Sequence, residues 1–416
     1  MQNDRTCDGH RLSALTEHSN MRPLDGIKVI DFTDWETGPL ATQFLGDFGA
    51  DIIKVEQPDP GGWHRSFGVM LNGINTFHLA LNHSKRSISL DLKHPDGNAA
   101  IKNLVAEADC VLHNFRPGVM ERLGLDYESV RNLNPGIVYG ECSGWGMSGT
   151  WANRPGQDLL ALALTGALKM VGDDAPQPSA NYKADYIAGM HLLSATLAAL
   201  IAKIRFGVGQ RIHVSLLASQ VHNQLQEAEA YLNCDFLDRD PQRYRLFETA
   251  DGWIAVGVNF PEICELVERP ALASDPRFDT AHKALDRRDE WCEIVAPLFR
   301  EHPTAHWDDK FRDMNSMFAP VLSYDEAFDH PQVRELSLMT EIEHPHGGTF
   351  KGLGMPMYFS ETPMSMTSRP PALGEHTEEI LTEAGLSTDE IATMIRDRIA
   401  FQYNPDPPDT GRKGDA

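Results

Sequence analysis

The sequence has no excess of basic residues. Its 416 residues include 37 Lys and Arg against 60 Asp and Glu, which gives a formal net charge of −23. A nucleic-acid binder carries a basic patch or stripe, and attachment to an anionic membrane by charge needs clustered lysines and arginines. The composition therefore predicts neither a nucleic acid nor a membrane as a partner.

Paired cysteines are also lacking. The six cysteines are scattered along the chain, and no two are spaced as C-x-x-C, so the spacing favours neither a zinc ribbon nor a thioredoxin-like site. We interpret them as reduced, partly buried thiols of a cytoplasmic protein. They are Cys7, Cys110, Cys142, Cys234, Cys264 and Cys292.

A long hydrophobic run is missing as well. The longest, at 187–202, contains His191 and is shorter than the roughly 20 apolar residues that a membrane-spanning helix needs. Residues 1–20 are polar and lack the apolar stretch of a secretory signal. We therefore expect a buried core helix and a cytoplasmic location.

What the chain does contain is alternation of strands and helices. Residues 27–30 form an apolar strand pattern, and Ala41, Phe44, Leu45 and Phe48 follow at helical spacing. A second apolar strand follows at 52–55, and the same alternation then recurs through 87–141. This repetition predicts an α/β fold with a doubly wound, mostly parallel, Rossmann-like sheet.

Changes in composition suggest the domain organisation. Residues 1–20 and 402–416 have the character of disordered tails, the second being rich in proline. We assign 21–230 to a large α/β domain, which the segment 346–400 completes. Residues 235–345, rich in Asp, Glu and Trp, form a smaller α+β domain in this interpretation.

Two motifs suggest cofactors but lack the context that each requires. GWGMSG at 144–149 matches G-x-G-x-x-G, yet no helical stripe begins at its last glycine, so a glycine-rich loop is the better interpretation than a dinucleotide site. His344 and His346 flank a proline near two glycines, with no third ligand nearby in sequence. We expect no bound metal and no permanently bound cofactor.

Two aspartates precede apolar helical segments. Asp185 begins the long run at 187–202, and Asp158 precedes 159–168. Each suits a helix N-cap, where Asp is among the preferred residues. The N-cap is the ordinary interpretation of Asp185. The alternative is a carboxylate nucleophile beside free backbone amides, which would also stabilise an oxyanion. The local sequence leaves both interpretations open.

Basic residues gather in the α/β half of this acidic chain. Solvated surface charge is the ordinary interpretation, but the strand ends of a doubly wound sheet are also where phosphates bind. The second interpretation predicts an anionic, phosphate-bearing substrate. The residues concerned are Lys85, Arg86, Lys93, Arg116 and Arg122.

Many ordered segments resemble the family III CoA-transferases, the group of formyl-CoA transferase and the carnitine CoA-transferases. The resemblance covers about 21–386. It rests on LGDFGADIIKVE at 45–56, KRSISLDLK at 85–93, NFRPG at 114–118, LGLDY at 123–127, TADGW at 249–253 and LGEHT at 373–377.

The resemblance implies that Asp185, in ADYIAGMH at 184–191, is the catalytic nucleophile. It would attack an acyl-CoA thioester, form a mixed anhydride and then an aspartyl-CoA thioester, and activate a small carboxylic acid. Coenzyme A and acyl-CoA are thus substrates, and an interlocked homodimer is implied. The implied CoA contacts are Gln57, Leu90, Lys93, Asn114, Phe115, Arg116, Arg122 and Asp158.

Departures from the family leave alternatives open. Asp34, Glu36 and Gln57 stand where formyl-CoA transferase has His, Gln and Arg, which suggests a different acyl group. The glycine-rich loop that covers that enzyme's site has no counterpart after Tyr231. An α-methylacyl-CoA racemase has the same fold, but Gln157 replaces its proton-transferring His. A non-catalytic CoA-binding homologue is the third alternative.

Overall fold

The computed structural model describes residues 21–58, 61–62, 65–169, 182–234, 245–344 and 348–404. The first predicted tail, 1–20, lies outside these ranges, as do His346 and the second tail beyond residue 404. The described residues up to Ala228 and from Ser337 onward form one compact unit, and Glu229–Leu336 form another.

The strands are short and the helices mostly of one to four turns. The strands are β1 (Lys28–Asp31), β2 (Asp51–Glu56), β3 (Met70–Leu71), β4 (Ile74–Asn75), β5 (Arg86–Leu90), β6 (Cys110–His113), β7 (Val138–Ser143), β8 (Gln210–Ser215), β9 (Arg245–Glu248), β10 (Trp253–Val256), β11 (Phe318–Pro320), β12 (Met339–His344), β13 (Gly348–Leu353) and β14 (Ala400–Phe401). The α-helices are α1 (Thr37–Asp47), α2 (Thr76–Leu81), α3 (Pro95–Glu107), α4 (Val119–Leu123), α5 (Tyr127–Leu133), α6 (Asp158–Leu164), α7 (Lys183–Phe206), α8 (Leu216–His222), α9 (Leu225–Cys234), α10 (Phe260–Leu266), α11 (Ala281–Asp286), α12 (Arg288–Phe299), α13 (Thr304–Asp313), α14 (Tyr324–Asp329), α15 (Pro331–Glu335), α16 (Thr377–Glu383) and α17 (Thr388–Arg396).

A seven-stranded sheet organises the large unit. Its spatial order is β14-β5-β2-β1-β6-β7-β8, and every pair is parallel except β14 with β5. Counted along the chain, the six parallel strands lie in the order 3-2-1-4-5-6, which is that of a Rossmann-type doubly wound sheet. The predicted α/β class and doubly wound sheet are confirmed. Ligands of such sheets bind at the carboxyl edge where the order reverses, here between β1 and β6.

Separate hydrophobic cores cover the two faces of this sheet. Alternate residues of a strand point to opposite faces, so Ile30 and Ile53 belong to one core, and their neighbours Val29 and Ile52 to the other. All four side chains are at most 1 % exposed. Burial on both faces explains why these strands are continuous apolar runs.

The long helix α7 packs across one face of the sheet. A Cβ on Gly189 would lie 2.8 Å from the backbone oxygen of Thr37, so glycine permits the close approach of α7 to α1. By length and composition alone, α7 is the one described helix that could cross a membrane. A core helix passes the same test, and the Ala188 and Leu192 side chains of α7 are fully buried in the protein.

The second unit has its own core. Strands β9, β10 and β11 form an antiparallel sheet in the order β11-β10-β9. Helices α10, α12 and α13 contribute large aromatic side chains to this core. These include Phe260, Trp291, Phe299, Trp307 and Phe311.

A buried group of charges lies beneath the loop that joins β1 to α1. The Asp31 carboxylate lies 3.2 Å from Lys85 Nζ and accepts a hydrogen bond from the Thr33 amide at 2.8 Å. Lys54 Nζ donates to the Thr33 carbonyl at 2.8 Å, and Lys85 Nζ donates to the Pro39 carbonyl at 3.1 Å. Burial opposes ionisation of Asp31, but the two lysines and two threonine hydroxyls outweigh it and lower its pKa. These contacts tie the loop to the sheet.

Removal of the buried cation should therefore destabilise the large unit strongly. Lys85→Met leaves Asp31 buried beside one lysine fewer, and loss of one partner of a buried pair costs about 3–5 kcal/mol. Lys28→Met is the matched control, because Lys28 forms a partly exposed pair with Glu383 at 3.9 Å. Such a pair contributes at most about 1 kcal/mol. Urea unfolding measures both, and equal losses for the two variants would contradict the structural role of Lys85.

Candidate active site

The β1–α1 loop lies at the switch point of the sheet. Beyond its contacts with Lys54, the loop is fixed by Asn114, which follows β6. Asn114 Oδ1 accepts from the Asp34 amide at 2.8 Å, and Asn114 Nδ2 donates to the Asp34 carbonyl at 2.6 Å. The next residues of this loop, Glu36 and Thr37, are thereby positioned at the start of α1.

Asp185 lies in the first turn of α7, beside this loop. The Thr37 hydroxyl donates a hydrogen bond to Asp185 Oδ1, although the two residues are 148 positions apart. Residue Asp185 as a whole is partly exposed. A carboxylate at a helix N-terminus that is oriented by a hydroxyl suits a nucleophile.

Asp158 contacts the same helix terminus. Its Oδ1 atom accepts from the Ala184 amide at 2.6 Å and from the Asp185 amide at 3.0 Å. Asp158 therefore accepts the hydrogen bonds that an N-cap side chain would accept, a role that the sequence had left open for Asp185. These two amides are occupied, so the expectation that amides beside Asp185 stabilise an oxyanion is wrong for this pair.

Two glycines bring the segment before Asp158 into place. The GWGMSG segment lies in a non-helical connection between β7 and α6, as the sequence predicted. A Cβ on Gly144 would lie 2.5 Å from the Cα of Gly156, so the two backbones touch. Any side chain at Gly144 would push away the segment that leads into Asp158.

Three carboxyl groups thus influence one another. Burial above all raises the pKa of Asp185 to about 6, with the Thr37 hydrogen bond opposing it and Asp158 adding to it. Burial followed by repulsion from Asp185 and Asp158 raises the pKa of Glu36 to about 8. At neutral pH the site therefore contains an ionised Asp185 and a protonated Glu36.

A cavity of about 340 Å³ opens at the carboxyl ends of β1, β2 and β5. Four of the predicted CoA contacts line it, namely Gln57, Leu90, Lys93 and Phe115. Asp34 and Thr33 of the β1–α1 loop also line it, which places the cavity two residues from Glu36. Gln57 Nε2 donates to the Gly61 carbonyl at 3.0 Å.

The other predicted contacts lie elsewhere. Arg116 lines a neighbouring cavity of about 330 Å³, which Phe115 also lines. Arg122 Nη1 lies close to Gly118, since a Cβ added to that glycine would be 3.2 Å from it. Asn114 and Asp158 hold the loop and helix described above rather than lining either cavity.

Two of the basic residues considered for phosphate binding are engaged in ion pairs. Lys85 is buried against Asp31, as described. Arg86 begins β5, at the opposite edge of the sheet, and pairs with Asp51 at 2.6 Å and with Glu383 at 2.6 Å. The phosphate interpretation is therefore wrong for Lys85 and Arg86. It continues to apply to Lys93, Arg116 and Arg122.

Thr37 was not among the predicted site residues. A threonine before Gly-Pro has no pattern of its own, and its partner Asp185 is distant in sequence. Its place at the start of α1, where the loop at the switch point ends, was the one available signal. Across the described ranges, no group of three or more His, Cys, Asp or Glu side chains is arranged to hold a metal ion.

Comparisons with known proteins identify the family. The model of CoA-transferase family III matches residues 24–377. Human succinyl-CoA:glutarate CoA-transferase is 33 % identical over 385 residues, which cover 88 % of this chain and 87 % of the relative. Formyl-CoA:oxalate CoA-transferase of Escherichia coli O6:H1 is 30 % identical, with 89 % and 98 % covered.

A solved structure is also similar. Rv3272 from Mycobacterium tuberculosis superimposes with a TM-score of 0.79 at 30 % identity, covering 86 % of this chain and 99 % of that one. The match of the family model over most of the chain, the relatives at about one third identity and the shared fold lead to one conclusion: the protein belongs to CoA-transferase family III and is an enzyme of CoA transfer.

Proposed function

We propose that the protein moves CoA from an acyl-CoA thioester to a carboxylic acid through covalent intermediates on Asp185. The observation that carries this proposal is the Asp185 carboxylate, which lies in the first turn of α7 and accepts a hydrogen bond from the Thr37 hydroxyl. Burial raises the pKa of this carboxylate to about 6, so it is ionised at neutral pH.

The reaction begins when an Asp185 oxygen attacks the thioester carbonyl carbon. A C–O bond forms and the carbonyl electron pair moves onto oxygen, and collapse then breaks the C–S bond and releases CoA thiolate. The thiolate next attacks the aspartyl carbonyl of the anhydride, which yields an aspartyl-CoA thioester and frees the donor acid. The acceptor carboxylate repeats these two steps in reverse, so neither ATP nor a redox partner is required.

The carboxyl-edge cavity is suited to the CoA portion. Lys93 supplies a positive charge to a cavity whose lining also includes the apolar Leu90 and Phe115 and the acidic Asp34, Glu56 and Asp91. Arg116 supplies another in the adjoining cavity. Cationic groups match phosphates, and an aromatic ring matches adenine, so these residues are proposed contacts of CoA.

The acceptor is proposed to be a small acid. The relatives with names of substrates act on succinyl-CoA with glutarate and on formyl-CoA with oxalate. Glu36 and Asp34 in this chain add acidic groups near the site. A panel of acyl-CoA donors against mono- and dicarboxylic acceptors, read by liquid chromatography of the CoA esters, identifies the pair with the highest kcat/KM.

A homodimer is proposed as well. The carboxyl-terminal end of α7 and the two residues after it leave large apolar side chains in solvent, with Ile204, Phe206 and Val208 each more than half exposed. Large exposed apolar patches commonly mark interfaces between proteins, and these side chains are close in sequence. An interlocked pair of chains would cover it.

Cytoplasmic residence remains part of the proposal. The described cysteines with placed side chains are unpaired, and Cys110, Cys142 and Cys264 are buried. Burial raises the pKa of the Cys264 thiol to about 11, which keeps it protonated and unreactive. Such thiols suit a reducing compartment.

The covalent step predicts a trapped adduct on one residue. Incubation with acyl-CoA followed by hydroxylamine should convert Asp185 to a hydroxamate, which peptide mass spectrometry locates. Asp185→Ala should abolish both the adduct and the transfer of CoA. Asp389→Ala is the control, since Asp389 is exposed in the first turn of α17. An adduct confined to another carboxylate would refute the role of Asp185.

The raised pKa of Asp185 predicts how stability depends on pH. The folded state binds this proton more tightly than the unfolded state, so folding is penalised as pH rises from about 4 through about 6. Asp185→Asn removes that penalty. Its melting temperature should exceed that of the wild type at pH 8 by a few degrees, and the two should converge near pH 4.

The opposite sign is expected at Asp126. Its pKa is lowered, because the Ser129 hydrogen bonds outweigh burial. Its contribution to stability is therefore present at neutral pH and lost on acidification, so Asp126→Asn should melt lower than the wild type at pH 8. If Asp185→Asn melted lower there by a similar margin, the raised pKa of Asp185 would be wrong.

A further inference from the structure

The Glu36 side chain has an oxygen with no partner inside the protein. Its Oε2 atom is buried and makes no hydrogen bond within the described part of the chain. A buried polar atom left unpaired costs free energy, so native structures retain few of them. The unpaired Glu36 oxygen near the nucleophile is explained if it forms its hydrogen bond only while the substrate reacts.

The groups around Glu36 determine its protonation. The charges that act on it are Asp185 at the start of α7 and Asp158 at the start of α6, and both are acidic. Burial and these two carboxylates together raise its pKa to about 8. At neutral pH the Glu36 carboxyl therefore carries a proton and can donate a hydrogen bond, which a carboxylate cannot.

Three other donors beside the nucleophile are engaged. The amides of Ala184 and Asp185 donate to Asp158, and the Thr37 hydroxyl donates to Asp185. Attack on a thioester nevertheless places a full negative charge on the former carbonyl oxygen, which needs a donor in a dry site. Glu36 directly precedes Thr37 and is available for this role.

We propose that the protonated Glu36 carboxyl donates its O–H to the oxyanion formed when the Asp185 carboxylate attacks the thioester. This inference rests on the proposed function and names one more residue in its mechanism. The proton stays on Glu36 throughout. The oxyanion returns its electron pair to the carbon as the C–S bond breaks, so the hydrogen bond is strongest in the transition state.

Two substitutions separate donation from space filling. Glu36→Met keeps the length of the side chain but removes the donor, and loss of one oxyanion donor lowers kcat by about 10²–10³-fold with little change in KM. Glu36→Gln keeps a neutral donor and should retain most of kcat. Glu107→Met, at an exposed position of α3, is the control and should match the wild type.

The pH profile gives a second readout. Wild-type kcat should rise as Asp185 ionises near pH 6 and fall as Glu36 ionises near pH 8. In Glu36→Gln the fall above pH 8 should disappear while the rise near pH 6 remains. A purely structural role for Glu36 would leave the alkaline limb unchanged.

The outcomes are distinguishable from failure of the proposed function. If hydroxylamine traps the Asp185 adduct in the wild type but Glu36→Met reacts at the wild-type rate, the role of Glu36 is overturned and Asp185 keeps its own. Equal losses in Glu36→Met and Glu36→Gln, with both variants folded by circular dichroism, would also overturn it. If the wild type forms no adduct, the covalent mechanism itself fails.

Discussion

The buried ion pair between Asp31 and Lys85 is the constraint on which the site depends. It lies under the β1–α1 loop, and that loop carries Glu36 and Thr37 to the nucleophile. A buried charge that loses its partner is costly, so the loop has little freedom to adopt another conformation. Rigid placement matters because a displacement of about 1 Å at a reacting group can cost 10²-fold in rate.

Asp158 affects Asp185 in two ways. Its hydrogen bonds to two amides hold the first turn of α7, which orients the nucleophile. Its charge, together with burial, raises the pKa of Asp185 toward 6, so that the nucleophile is more basic than an exposed aspartate. A stronger base is a better nucleophile as long as it remains ionised at the working pH. The two effects together suit attack on a thioester near neutrality.

Sequence patterns predicted the elements better than the contacts between them. The apolar runs around Val29 and Ile52 are long enough to mark buried parallel strands, and the observed strand order follows from the βαβ alternation. The sequence correctly placed Asp185 in the first turn of a helix. The periodicity of apolar residues does not predict which distant residue accepts hydrogen bonds from the amides of that turn. The partner proved to be Asp158, and the orienting hydroxyl proved to be that of Thr37.

Lys85 illustrates a different limit. Lysine is mostly exposed in proteins, and its position beside Arg86 made a solvated or phosphate-binding role the natural expectation. Its burial depends on a carboxylate from β1, which adjacent sequence does not show. The same applies to Glu36 Oε2, which has no partner among the described residues, since a missing contact is visible only when the neighbouring side chains are placed.

The route of the chain has a consequence for its synthesis. Strand β14 closes the sheet by pairing with β5, and α16 and α17 complete one core, yet all three come after the whole second unit in the sequence. On the ribosome, the edge of β5 must wait unpaired while more than two hundred further residues emerge. During that interval a nascent chain exposes an apolar sheet face and a free strand edge, the kind of surface that chaperones recognise.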